Sequence, residues 1–184
     1  MIYLYFSLSS SFLFIALWKD NNCLNSIQKE NAYLHSENFL SYLQQVLEKT
    51  KYFLKEINKI YFTSLPSGQT GIRISLSFLA TLQVVNPEIK FYHINALLLQ
   101  SGIESCISLL SIDRGENKYH VSIYKNKKCL LEEKIIYQKE LEEVVKHFPD
   151  FSILKNFQKV DFLKNFQKLK KYFVLLNNVE EIDY

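Results

Sequence analysis

Glycine and proline are scarce in this 184-residue chain, at four and three. A phosphate-cradling loop needs several glycines, because backbone N–H groups must approach the ligand closely. Only Gly68 and Gly71 fall near each other, so a self-sufficient nucleotide site is not expected. Cysteine is sparse too. Cys23, Cys106 and Cys129 are scattered with no C-x-x-C, which argues against a disulfide framework and a thiolate zinc site. The histidines at 35, 93, 120 and 147 stand apart, with no H-x-x-x-H or H-E-x-x-H pattern, so neither a metal nor a cofactor is expected. Strong charge of one sign is also missing. A net charge of +3 permits nucleic-acid contact without arguing for it.

What is present is a globular composition, 48% hydrophobic and 22% charged, rich in rings with 14 Phe and 12 Tyr. The length suits one domain or two small lobes with a real core. No charge occurs from Met1 to Trp18, so a membrane anchor has to be weighed. No Lys or Arg precedes the apolar run, and Ser7, Ser9, Ser10 and Ser11 interrupt it. Two strands at residues 2–6 and 12–17, joined by a serine-rich turn, are the better reading. A reduced, cytoplasmic protein without a membrane segment is expected.

Further on, the pattern predicts a strand at 22–28 and a helix at 35–57 with Ser36 as its N-cap. A strand at 59–63, a loop at 64–70 and a helix at 71–85 follow, the last stopped by Asn86-Pro87. A strand at 90–93, a short helix at 95–100 and strands at 105–113, 119–125 and 128–136 come next. Three strands, a helix and a strand make the RNase H-like ridge from which actin-like lobes are built. The expected class is therefore α/β, actin-like/RNase H-like (ASKHA), with an N-terminal lobe of about 1–100 and a reduced C-terminal lobe of about 101–184. Two helices stand out. The first carries Leu40, Leu43, Leu47 and Leu54 on one stripe, with Phe39, Tyr42, Val46, Phe53 and Ile57 on an adjoining one. The second has no charge between Arg73 and Glu88, and its apolar residues point in nearly all directions, as in a helix buried on more than one side. Either a neighbouring lobe or a partner's helix would cover it, and the partner is preferred.

Residues 65–75 read Leu-Pro-Ser-Gly-Gln-Thr-Gly-Ile-Arg-Ile-Ser. This resembles the GPGSFTGLRIG signature of the TsaB (YeaZ) family, with Pro66, Thr70, Gly71, Arg73 and Ile74 at matching places. His35-Ser36-Glu37 is similar to that family's HSE, and 91–97 to its GVSSL turn. Ile112-Asp113 followed by Lys118-Tyr119 is similar to its IDAR…VY segment. Residues 2–10 sit where the family has ILAIDTST, and the likeness covers about 1–136. The chain departs from the family at Ser7, which replaces an Asp, and at Leu8, which replaces a Thr. Leu65 and Ser67 replace two glycines, and no GDGA-like turn follows Ile136. A hard cation needs a carboxylate or its water shell, so Ser7 argues against independent ATPase chemistry.

The resemblance implies a non-catalytic subunit that pairs with a TsaD-type transferase through a four-helix bundle, two helices from each protein. With a TsaE-type ATPase, such a complex places threonylcarbamoyl on the adenosine beside the anticodon of tRNA. The implied partner contacts are Phe39, Tyr42, Val46, Leu76, Leu79 and Gln83, and a homodimer through the same helices is the expectation when the partner is absent. Thr70, Gly71 and Arg73 could meet an anion or the partner's nucleotide, although for Arg73 pairing with a carboxylate such as Glu37, or holding the loop, is preferred. A peptidase-like or nucleotide-dependent enzyme of the same superfamily is the alternative. Asp113 with Glu116, and Glu132 with Glu133, read as surface charge rather than acid–base pairs. From 155 to 171 six lysines meet only Asp161, with Phe157, Phe162 and Phe166 interleaved. That pattern suits either RNA contact or a solvated amphipathic helix with buried rings, and the helix is preferred.

Overall fold

The computed structural model describes residues 1–9, 12–30, 38–66, 68–112, 117–126 and 128–182. The chain forms two compact units, Met1–Ile94 with Phe173–Tyr184, and Asn95–Tyr172. The expected division near residue 100 thus falls at Asn95. The last residues also return to the first unit.

In the first unit, β1 (Ile2–Leu8), β2 (Phe12–Lys19) and β3 (Asn22–Glu30) form an antiparallel meander. The hairpin reading of the charge-free start therefore holds, with Ser10 and Ser11 outside the described residues. Helix α1 (Phe39–Thr50) leads to β4 (Lys59–Thr63), and α2 (Gln69–Val85) to β5 (Lys90–Ile94). Both strands run parallel to β1. β10 (Val174–Leu176) closes the edge antiparallel to β5, giving the order β10-β5-β4-β1-β2-β3. This is the expected RNase H-like ridge with one added strand.

Strand alternation sorts the side chains by face. Ile2, Leu4, Phe6 and Leu8 of β1, with Leu13, Ile15 and Leu17 of β2, join Phe39, Leu43, Val46, Ile72, Leu76, Leu79 and Leu82 in one core. The intervening β1 positions Tyr3 and Tyr5 belong to an aromatic set on the other face. There Tyr3 stacks on Trp18, and Phe173 meets the edges of Tyr5 and Tyr61. Phe6 is the hub of the helix-covered face. Its ring contacts Phe39 of α1 at 5.1 Å, Phe78 of α2 at 5.9 Å and Phe62 of β4 at 5.9 Å, and Phe39 and Phe78 meet edge to face at 5.2 Å.

The first helix is shorter than expected. It stops at Thr50 because Lys51 turns left-handed (φ 60°), and its N–H and that of Tyr52 reach back to the carbonyls of Glu48 and Leu47. Residues 53–57 then pass through a 3₁₀ turn, Leu54–Glu56. The proposed cap Ser36, with His35 and Glu37, lies outside the described residues.

In the second unit, α3 (Ala96–Ser101) precedes β6 (Cys106–Ser111), β7 (Lys118–Lys125) and β8 (Lys128–Tyr137). Helix α4 (Gln138–His147) crosses to β9 (Ser152–Lys155), which pairs parallel with β6. The order β8-β7-β6-β9 is a shortened copy of the first ridge, with α5 (Phe162–Leu169) after it. Asp113 and Glu116 lie outside the described residues.

Phe6→Ala removes the ring that touches both helices and the neighbouring strand. Urea unfolding should show a loss of about 3–5 kcal/mol, the range for a fully buried Phe. A loss below about 1 kcal/mol would show that the four rings do not organise this core.

Candidate functional site

Helix α2, uncharged beyond Arg73, is sided after all. Gly71, Ile72, Ser75, Leu76, Leu79 and Leu82 face the core, whereas Ser77, Ala80, Thr81 and Val84 face out. Ile74 and Phe78 are half-buried beside that core. An uncharged helix need not be apolar all round, because serine, threonine and alanine fill its outer face without charge.

This sidedness relocates the expected partner contacts. Phe39, Val46, Leu76 and Leu79 are buried in this chain's own core and can affect pairing only through the fold. Tyr42 is half-buried against the same core, with Lys29 Nζ 5.6 Å from its ring centre. Gln83 is half-buried. The exposed apolar residues of the helix layer are none of the six expected partner contacts. Leu40 is 62% exposed on α1, and Val84 and Val85 are 83% and 75% exposed at the end of α2. Phe53, just past α1, is 66% exposed. Phe53, Leu54, Leu82, Val85 and Ile89 line an open cavity of about 600 Å³, together with Lys55 and Asn86. From Ser77 to Val84, α2 thus carries an uncharged outer stripe that ends at an apolar hollow.

At the other end of α2, the motif glycine has a packing role. A Cβ on Gly71 would sit 2.5 Å from the Leu8 carbonyl oxygen of β1, so a side chain there would push the helix off the strand. Thr70 and Arg73 are exposed on the same turn. The Leu65–Pro66 bond in the preceding loop is cis, and Ser67 lies outside the described residues. Ser7 is 1% exposed, and its Oγ meets no hydrogen-bond partner among the described residues. Where the resemblance calls for a carboxylate, the strand ends in a buried neutral hydroxyl.

One pair invisible to motif reading bears on the enzyme alternative. His93 Nδ1 lies 3.1 Å from Ser64 Oγ, joining the C-terminal ends of β5 and β4. A serine–histidine nucleophile requires the hydroxyl to donate to the ring. Here the Ser64 hydroxyl has the Ile94 carbonyl as an acceptor at 3.0 Å, which competes with donation to the ring. Ser64 is also only 6% exposed. The pair is a clamp between strands in this arrangement. Burial raises the thiol pKa of Cys23, Cys129 and Cys106, the last to about 12, so none is a ready thiolate at neutral pH. Among the described residues no group of three His, Cys, Asp or Glu is placed to hold a metal ion, and no helix is long and apolar enough to cross a membrane.

In the second unit, His120 Nδ1 lies 3.0 Å from Glu133 Oε1, and Asn95 Nδ2 donates to Glu133 Oε2 at 3.0 Å. The His120 ring beside it, with the Asn95 amide, holds Glu133 below the usual carboxylate range. Glu133 is therefore a strand-to-helix tie rather than loose surface charge. Asn95 also accepts from the N–H groups of Leu97 and Leu98 at the start of α3. Sequence spacing gave no sign of either histidine pair, since their partners lie 29 and 13 residues away.

Solved structures supply the remaining information about the fold. YeaZ from Pseudomonas aeruginosa matches with a TM-score of 0.71 at 13% identity, over 98% of this chain and 97% of that chain. A second structure, of an uncharacterized protein with similarity to peptidase YEAZ from Pseudomonas aeruginosa, matches with a TM-score of 0.61 at 16% identity. It spans 74% of this chain and 66% of that one. At these identities the likeness establishes a shared fold, the actin-like/RNase H-like α/β architecture. No family model matches the sequence, and no curated protein does.

Burial pushes the His93 pKa below its ordinary 6.5, while Glu181 pulls the other way. The folded state therefore binds this proton less tightly than the unfolded chain. Stability should be fullest above pH 6.5 and fall as pH drops toward the lower folded value. His93→Asn should flatten that part of the urea-midpoint profile. An unchanged profile would show that the ring is not desolvated.

Proposed function

We propose that this chain is a cytoplasmic, non-catalytic partner subunit that docks a TsaD-type transferase on the outer face of α1 and α2. The assembly, with a TsaE-type ATPase, would place threonylcarbamoyl on the adenosine beside the anticodon of tRNA. The observation that carries the reading is the uncharged stripe of Ser77, Ala80, Thr81 and Val84, which runs toward the hollow beside Phe53 and Val85. Small outward side chains let another helix approach closely, and the hollow can take an apolar anchor. Filling it and covering Val84, Val85 and Phe53 would release about 1.5–3 kcal/mol for each large side chain buried.

Two further observations support this reading. The fold matches that of YeaZ along nearly the whole chain. Ser7 leaves the end of β1 without the carboxylate that hard-cation chemistry favours. In the absence of the transferase, the same face would pair two copies of this chain.

Val84→Asp and Thr81→Arg place charge on exposed positions, so folding stability should stay within about 0.5 kcal/mol of wild type. Co-expressed with the TsaD-type protein and run on size exclusion, the wild type should co-elute and the double variant should not. Pairing should weaken at least about tenfold. Co-elution of the double variant, or independent elution of the wild type, would contradict the assignment.

A further inference from the structure

Helix α5 (Phe162–Leu169) continues directly into a 3₁₀ turn, Lys170–Tyr172. Its inner face is locked. Phe162, Phe166 and Leu169 are buried with Phe157, and Asn165 Nδ2 donates to the Leu99 carbonyl at 2.9 Å. The rings that could have stacked on bases are therefore core residues. The outer face is different. Lys164, Lys168 and Lys171 are exposed at spacings of four and three, with exposed Lys159, Gln158 and Gln167 beside them in sequence.

Between 155 and 171 six lysines stand with a single acid, Asp161. That carboxylate is engaged in capping α5, accepting the Lys164 N–H at 3.0 Å. Lys155 is held at the Tyr119 hydroxyl, 3.1 Å away, and Lys168 reaches Glu104 at 3.3 Å. Among the described residues Lys159, Lys164 and Lys171 meet no carboxylate. Helix α4 of the same unit shows the ordinary solvated pattern. There Glu140, Glu142 and Glu143 alternate with Lys139 and Lys146, and Lys146 pairs with Glu143 at 3.5 Å. The one-signed face of α5 departs from that interspersed arrangement.

We propose that the lysine face of α5 binds the phosphate backbone of RNA directly. Lysine is a point charge suited to phosphate contact without base readout. By helix geometry, Lys164 and Lys168 are about 6 Å apart along the axis, and Lys164 and Lys171 about 10 Å, which spans neighbouring phosphates of one strand. A bilayer fits poorly, because an interfacial helix turns its apolar side outward, and here that side is in the core. An acidic protein fits poorly as well, since no large apolar side chain is exposed between 155 and 171 to anchor one. The choice of RNA over other nucleic acids rests on the proposed function, whereas phosphate recognition rests on the lysine geometry.

The test uses the full chain without its partner, so its result is independent of pairing on α1 and α2. Binding of a labelled RNA stem-loop is followed by fluorescence anisotropy from 50 to 200 mM salt. The wild type should bind with a salt-dependent affinity. Lys159→Gln, Lys164→Gln and Lys171→Gln together should weaken binding about tenfold or more at low salt and make the log–log salt slope shallower by about 2–3. The same three positions changed to arginine should restore it, and both variants should unfold at the wild-type temperature. Absence of RNA binding at 50 mM salt, a glutamine variant that binds like wild type, or capture by anionic vesicles and not by RNA would overturn the proposal.

Discussion

The outward face of α1 and α2 follows from how the two helices are pinned to the sheet. The pin is the ring cluster of Phe6, Phe39, Phe62 and Phe78, one residue each from β1, α1, β4 and α2. Because Phe6 touches both helices and the adjacent strand, rotating either helix would separate rings that are now in edge or tilted contact. With Leu76 and Leu79 turned inward beside them, Ser77, Thr81 and Val84 have no alternative but to face out. Gly71 sets the near end of α2 by letting it approach the Leu8 carbonyl, a distance that a single methyl would exceed. The outer face of α2 is thus a consequence of core packing, not a separate design.

Much of this architecture was legible in the residues. Strand alternation, the serine-interrupted hairpin and the Asn86-Pro87 stop gave the element order and the ridge topology. Less was legible where the answer depended on partners distant in sequence. No local signal shows that residues 174–176 return to β5, since that pairing joins segments about 80 residues apart. The first helix was overextended because its hydrophobic period runs on past Thr50, whereas Lys51 adopts a left-handed turn that nothing in its residue type demands. The orientation of α2 was misread. Its apolar residues spread round the circumference, but Val84 and Val85 fall on the outer side with Ser77, Ala80 and Thr81.

Sheet faces in the first unit are filled with aromatic and aliphatic side chains, and its histidine and serine are spent on clamping strand ends. The second unit repeats a shortened ridge, but its buried polar residues, such as Gln100 bonded to Ser108 and to the carbonyls of Leu109 and Leu154, serve the backbone. Outward it carries the lysine-rich face of α5 as well as the mixed charge of α4. The lysine-rich face of α5 and the uncharged outer stripe of α2 thus belong to different units.

Hydrogen–deuterium exchange of the chain with and without the TsaD-type protein tests the central claim most directly. The account predicts slowed exchange in α1, the 53–57 turn and α2, with the β8 edge unchanged. Protection confined to β8 or to the second unit, with α1 and α2 exchanging as in the free chain, would contradict it.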